Sequence, residues 1–159
     1  MNILISELEN ILRSEVINMH TLVSIDGISI DSRTINKNEL FIAIKGDNHD
    51  GHLFINDAIK NGASLIISEN TLENFPCISV DDTTDALASI AKFYADKIHP
   101  IVIGITGTNG KTSVTNMTSM ILRTCKQTLS TYRNYNNQIG LPLSILKGVK
   151  GDEVFVLEM

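Results

Sequence analysis

The residues best suited to chemistry in this chain are Gly107, Thr108, Asn109, Gly110, Lys111, Thr112 and Ser113, which follow the apolar run Ile101-Val102-Ile103-Gly104-Ile105 after Thr106. Glycines let backbone N–H groups approach a polyphosphate, and a helix opening at Lys111 adds the positive end of its dipole. Lys111 supplies a mobile cation and the Thr112 hydroxyl can ligate Mg2+, so the segment predicts a nucleotide site. The general phosphate-loop spacing G-x-x-x-x-G-K-[ST] places a glycine where Ile105 stands, so this loop is a shorter variety.

Other residues could support such a site. Asp31-Ser32-Arg33 combines a hydroxyl with a planar guanidinium able to engage a diphosphate or a uracil carbonyl, although Asp-Ser is also ordinary turn chemistry. Lys45-Gly46 reads either as a solvated strand end or as a point where a nucleotide approaches backbone amides. Asn136 and Asn137 bring amide donors and acceptors suited to a substrate or phosphate contact, or to capping the next helix, with Thr131 at the preceding strand end and Arg133 available to an anion. Asp50-Gly51-His52 reads as a helix entry in which His52 lacks a visible partner, and His20, His49 and His99 receive no role.

The elements that position these residues follow from periodicity and punctuation. Ser6-x-x-Glu9 is a capping-box pattern opening a helix over 6–13, and strands are expected at 27–30 and 40–44. A helix from about 52 to 60 stops at Asn61-Gly62, and strands follow at 64–68 and 77–80. Asp82-Thr83-Thr84 caps a helix with Leu87, Ile90, Ala91, Tyr94 and Ile98 on one face, ended by Pro100. Beyond it the pattern is strand, loop, helix (Val114, Met117, Ile121 and Leu122 inward), a strand over 128–132, a helix over 139–147 and a strand over 153–157. An open parallel sheet usually has about five or six strands. Only three are found after Pro100, and Glu158-Met159 falls at a strand's carboxyl end, so a truncated product is expected, with an exposed strand edge over 155–157.

Composition narrows the class. With 159 residues, 43% hydrophobic and 19% charged, the chain can bury a core of one domain or two small ones. A formal charge of −5 argues against a nucleic-acid surface, so phosphates must be held by local devices. Cys77 and Cys125 suit two reduced, buried thiols better than a disulfide or zinc site. The N-terminus lacks a signal-peptide pattern and no long apolar span occurs, so a cytoplasmic protein without membrane insertion is expected.

The loop Thr106-Gly107-Thr108-Asn109-Gly110-Lys111-Thr112 resembles the ATP-binding loop of the Mur ligases and folylpolyglutamate synthases, ATP-dependent amide-forming enzymes. Asp31-Ser32-Arg33, Leu40-Phe41-Ile42-Ala43-Ile44-Lys45-Gly46, Asp50-Gly51-His52-x-Phe54 and Asn134-Tyr135-Asn136-Asn137-Gln138-Ile139-Gly140-Leu141-Pro142-Leu143 extend the resemblance to the Mur ligase family over essentially the whole chain. Asn-x-Asn-Asn followed by Ile-Gly-Leu-Pro-Leu is similar to the MurF branch more than to MurE, whereas the phosphate loop and Asp-Ser-Arg are shared by both. A glycine usually precedes the first Asn of this motif; here Arg133 stands in its place.

The resemblance implies an α/β fold: a small UDP-binding domain over 1–82, a connecting helix over 83–99, and the first part of a phosphate-loop, parallel-sheet ATPase domain over 100–159. It implies ATP on residues 107–113, Mg2+ on Thr112 and Glu158, and substrate on Ser32, Arg33, Lys45, Gly46, Asn136 and Asn137, with Lys111, Thr112 and Glu158 catalytic. The γ-phosphoryl of ATP would pass to the carboxylate of UDP-MurNAc-tripeptide, and D-alanyl-D-alanine would attack the resulting acyl phosphate. A histidine, a carboxylated lysine and a C-terminal domain that the family also uses are expected beyond Met159, so a fragment inactive alone is expected. The alternatives are a non-catalytic nucleotide or UDP-sugar-binding fragment, or another ligase such as MurE or a polyglutamate synthase.

Overall fold

A computed structural model describes residues 2–18, 22–46, 49–131 and 136–159. The chain divides into two units, Met1–Ile90 and Ala91–Met159. Both are α/β, as the sequence implies.

In the first unit β1 (Ile3–Leu4) pairs antiparallel with β2 (Ser24–Ile25). A parallel sheet runs in the order β3 (Gly27–Ser29), β4 (Glu39–Ile42), β5 (Leu65–Ser68), β6 (Cys77–Ser79). Every residue of β5 is buried, as expected where a parallel sheet is covered on both faces and its strands read as continuous apolar runs. Phe41 and Ile66 pack with Ile55, Ala58 and Cys77 in the core, each large side chain contributing about 1.5–3 kcal/mol by burial. Ile55 and Ala58 come from α2 (Ile55–Asn61), which follows a 3-10 turn (Gly51–Phe54). Gly62, at φ 118°, ends α2 in a left-handed conformation that a side chain would resist.

The first helix, α1, occupies Ile5–Leu12, one residue earlier than expected. Ser6 and Glu9 do not cap it; instead Leu4 N donates to Glu7 Oε2 at 2.9 Å, while Val16 N donates to Glu9 Oε1 at 2.9 Å. Burial decides the start, because Ile5 and Leu8, 3% and 0% exposed, must both sit on the inward face. The long helix α3 (Thr83–Ile98) is capped as expected, Asp82 Oδ1 accepting from Thr84 N and Asp85 N at 2.6 and 3.0 Å.

The second unit holds β7 (Ile101–Ile105), α4 (Lys111–Leu122), β8 (Thr128–Ser130), α5 (Gly140–Leu146) and β9 (Val154–Glu158). The three strands are parallel in the order β7-β9-β8, so the last strand lies in the middle. This corrects the expected exposed edge at 155–157. Phe155, Val156 and Leu157 are buried, and the exposed apolar strand residues are Ile101 and Val102 of β7.

The inward face of α4 is also corrected. Val114, Met117 and Ile121 are exposed, whereas Thr115 and Ser119 are buried, with Ser119 Oγ donating to Thr115 O at 2.6 Å. Spacing identifies a stripe on a helix but not what covers it. Here α4 meets β7, β8 and β9, and the small side chains one turn apart are the buried ones. Cys77 is buried as expected, but Cys125, just past the end of α4, is exposed. No helix among the described residues is long and apolar enough to cross a membrane.

Candidate functional site

The order β7-β9 brings two separated segments together in the second unit. Ile105 lies in register with Glu158, and Met159 N donates to Ile105 O at 2.9 Å, which extends the pairing to the carboxyl ends of both strands. Ligands of open parallel sheets bind at such ends, and β7 feeds directly into the glycine loop there. Gly107 and Gly110 have φ of 150° and 76°, conformations that let the chain reverse tightly into α4. The amides of Lys111, Thr112 and Ser113 stand ahead of the first turn closed by Val114 N on Gly110 O at 3.0 Å, so they have no intrahelical acceptor. Lys111 Nζ donates to Gly107 O at 2.9 Å, which holds the ammonium over the loop.

Glu158 is 5% exposed. Its Oε1 accepts from Thr112 Oγ1 and from Asn136 Nδ2, each at 3.2 Å, and its backbone N donates to Thr131 Oγ1 at 2.8 Å. Among the described residues neither Lys nor Arg pairs with this carboxylate. A buried carboxylate whose partners among the described residues are neutral dipoles, beside a hydroxyl and a phosphate loop, fits a hard divalent cation. Among the described residues no three His, Cys, Asp or Glu side chains gather around a metal position. Mg2+ uses one or two carboxylates and completes its shell with water and phosphate oxygens.

Asn136 therefore sits beside Glu158 and Thr112, whereas Asn137 does something different. Its Oδ1 accepts from Gly140 N at 2.6 Å and Ile139 N at 3.3 Å, capping the start of α5. Tyr132, Arg133, Asn134 and Tyr135 lie outside the described residues, as does His20, so the expectations placed on Arg133 and on a strand reaching 132 are not addressed by this geometry.

The first unit carries a cavity of about 630 Å³, lined by Ser32, Arg33 and His49 from loops, by Phe54 of the 3-10 turn and by Lys60 and Asn61 of α2. That size falls in the usual range of about 300–1,000 Å³ for small-molecule sites. Ser32 is 6% exposed; its carbonyl accepts from Asn61 Nδ2 at 2.8 Å. Arg33 closes a bidentate pair with Asp31, at 2.9 and 2.7 Å, and is itself largely exposed at the rim. The Arg33 side chain, then its backbone N–H, holds the Asp31 carboxyl down at about 2. Gly46 N donates to His49 O at 2.8 Å, but neither Lys45 nor Gly46 lines the cavity.

His52 has partners that the sequence does not show. Its Nε2 accepts from Glu69 N at 3.1 Å, so Nδ1 carries the proton and donates to Asp50 Oδ1 at 2.7 Å. The His52 backbone N–H, then its ring, keeps the Asp50 carboxyl below its usual range. Both nitrogens are used in holding the turn, which makes His52 structural. His49, by contrast, stacks on Phe54 with ring centroids 4.9 Å apart and 15° between planes. Sequence reasoning passed over His49, Lys60 and Asn61; the nearest signal is His49's place shortly after Lys45-Gly46.

The sheet order, glycine loop and following helix define a phosphate-loop α/β unit. Residues 24–95 match the Mur ligase family, catalytic domain, and residues 105–159 match the Mur ligase middle domain. The chain belongs to the Mur ligase family. It is 44% identical over 140 residues to a protein of Buchnera aphidicola subsp. Baizongia pistaciae named UDP-N-acetylmuramoyl-tripeptide--D-alanyl-D-alanine ligase, covering 86% of this chain and 30% of that protein. A crystal structure of MurF from Acinetobacter baumannii superposes with TM-score 0.94 at 27% identity, covering all of this chain and 36% of that one. A MurF ligase of Thermotoga maritima in complex with ADP gives TM-score 0.77 at 36% identity, covering 84% of this chain and 31% of that one. The chain thus spans about a third of the length of the relatives it matches.

Proposed function

We propose that this chain supplies the UDP-holding and ATP-holding parts of a cytoplasmic, ATP-dependent ligase that joins D-alanyl-D-alanine to UDP-MurNAc-tripeptide. Residues 1–82 form the uridine-nucleotide domain, 83–99 the connecting helix and 100–159 the start of the ATP domain in this reading. The observation that carries it is the junction of Thr112 and Glu158 at 3.2 Å, a phosphate loop facing a buried carboxylate across neighbouring strand ends. The relatives' names, which specify a UDP-linked tripeptide and D-alanyl-D-alanine, support the substrates.

In the reaction a carboxylate oxygen of the tripeptide takes the γ-phosphoryl of ATP and ADP departs; the amine of D-alanyl-D-alanine then attacks the acyl carbon and phosphate leaves. Phosphoryl transfer of this kind depends mainly on placement and electrostatics. The chain's residues contribute both. The loop amides and α4's N-terminal amides cradle the phosphates, and Lys111 moves from Gly107 O to the phosphate charge. Thr112 and Glu158 would hold Mg2+, which when bound neutralises phosphate oxygens. Asn136 steadies the Glu158 carboxylate. Ser32 and Arg33 would hold the uridine diphosphate in the first unit's cavity.

Calorimetric titration of the 159-residue chain with UDP-MurNAc-tripeptide and, separately, with Mg-ATP tests the reading. Both ligands bind, Ser32→Ala weakens only the first, and Lys111→Ala weakens only the second. Binding of neither ligand, or equal loss of both in each variant, overturns it.

A further inference from the structure

The strand pairing beside Glu158 ends irregularly. Thr128 to Ser130 of β8 lie in register with Val154 to Val156 of β9, and Thr131 N extends the pairing by donating to Val156 O at 3.0 Å. In a continued parallel ladder the next bond would run from Glu158 N to the backbone carbonyl of Thr131. It runs instead to the Thr131 side chain, Glu158 N donating to Oγ1 at 2.8 Å. A hydroxyl thus stands in for the last carbonyl of the ladder, which threonine or serine can supply and an apolar residue cannot.

The exchange has a use a few residues further on. Asn136 Nδ2 donates to Glu158 Oε1 at 3.2 Å, so two nearby positions grip one residue twice, Thr131 at its backbone and Asn136 at its carboxylate. From the opposite side β7 holds the same end of β9 through Met159 N on Ile105 O at 2.9 Å. With the peptide held from both sides, the direction of the Glu158 Cα–Cβ bond is fixed, and the carboxylate meets Thr112 Oγ1 at 3.2 Å. Thr131 is 9% and Glu158 5% exposed, so the bond between them is shielded from bulk water.

We propose that Thr131 is a positioning residue for the divalent cation of the ATP site: its hydroxyl holds the Glu158 backbone so that the carboxylate stays aimed at the metal position beside Thr112. The inference rests on the Mg-ATP reading of the second unit given above and adds a residue that acts through Glu158. Groups that orient a metal ligand typically govern about tenfold to hundredfold of metal affinity. Thr131→Val keeps the branched shape but removes the acceptor, which leaves the Glu158 N–H buried without a partner. Mg2+ is then expected to strengthen ATP binding about tenfold less than in the parent chain, and Thr131→Ser, which returns the hydroxyl, to restore the effect.

The test is calorimetric titration of the 159-residue chain with ATP, once in Mg2+ and once in EDTA, for the parent, Thr131→Val, Thr131→Ala and Thr131→Ser, with thermal midpoints alongside. The ratio of the two dissociation constants reads the metal's contribution, which a purely structural role for Thr131 leaves unchanged even where the midpoint falls. The ratio drops in Thr131→Val and recovers in Thr131→Ser, while the affinity in EDTA, set by the loop amides and Lys111, is kept. Thr131→Ala leaves space for a water at the Glu158 N–H and carries the same expectation where the valine variant does not fold. A parental ratio in Thr131→Val or Thr131→Ala overturns the positioning role and leaves the Mg-ATP site standing. A parent chain that binds ATP no better in Mg2+ than in EDTA overturns the metal reading and the positioning role with it.

Discussion

Thr112 Oγ1 donates to Glu158 Oε1 at 3.2 Å, across 46 residues of sequence, because the last strand of the chain inserts beside the strand that opens the phosphate loop. The contact joins an exposed hydroxyl on the first turn of α4 to a carboxylate only 5% exposed. A buried charge whose partners among the described residues are neutral opposes folding.

Glu158→Gln accordingly separates stability from binding. The variant keeps an acceptor for Thr112 and Asn136 but loses the buried charge, so its thermal midpoint stays equal to or above that of the parent chain. Its affinity for Mg-ATP falls roughly tenfold or more, by analogy with the tenfold to hundredfold losses seen when metal-site geometry is disturbed. Differential scanning calorimetry with and without Mg-ATP reads both quantities; a variant that loses stability and keeps its affinity contradicts the assignment.

Asp31 gives the first unit an acid limit. Its carboxyl is held at about 2 by Arg33, below the ordinary 3.8, so the folded state favours the ionised form. That contribution is fully present above the unfolded value and is lost as pH falls from about 4 through about 2. The pair is solvent-exposed, so the amount is limited to about 0.2–1 kcal/mol. Thermal midpoints measured between pH 5 and pH 2 should fall less steeply in Asp31→Asn than in the parent chain; parallel curves would remove Asp31 from the acid transition.

Gly51 is where a side chain has no room. A Cβ there would lie 2.7 Å from Ile44 O and 2.8 Å from Ile44 N, both backbone atoms held by hydrogen bonds two residues past the end of β4. Gly51→Ala should destabilise the first unit by about 1–3 kcal/mol through overpacking. Urea unfolding followed by circular dichroism gives the shift in midpoint, and an unchanged midpoint would mean that the Asp50-Gly51-His52 turn yields easily.

The outer stripe of α4 predicts behaviour in concentrated solution. Val114, Met117, Met120 and Ile121 are each at least half exposed on one helix, an unusual concentration of apolar surface. Light scattering of the isolated chain should show self-association that Met117→Lys with Ile121→Lys reduces, while stability changes by no more than about 0.5 kcal/mol, as is usual for surface substitutions. A monodisperse parent chain at high concentration would show that the stripe is harmless.

Much of the fold was legible locally. The phosphate loop is contiguous, so Gly107, Gly110, Lys111 and Thr112 could be read together, and Asp82 and Gly62 mark helix ends by chemistry confined to one turn. The α1 cap was misread because Ser6-x-x-Glu9 satisfies a pattern that the burial of Ile5 and Leu8 overrides. The inward face of α4 was misread because periodicity marks an apolar stripe without saying which side the sheet occupies.

The sequence by itself determined the α/β class, the phosphate loop and the resemblance to the Mur ligase family, since each is carried by short contiguous segments of the chain. Only the tertiary structure decided that β9 lies between β7 and β8, that Glu158 meets both Thr112 and Asn136, that Asn61 holds the Ser32 carbonyl and that His49 lies on Phe54. The contacts of Glu158 with Thr112 and Asn136 and of Asn61 with Ser32 join residues 22 to 46 positions apart and follow from strand order and helix placement. The ring stack is short in sequence but depends on the hydrogen bond from Gly46 N to His49 O and on the core under Phe54. Such contacts arise from packing, and packing is a property of the whole chain.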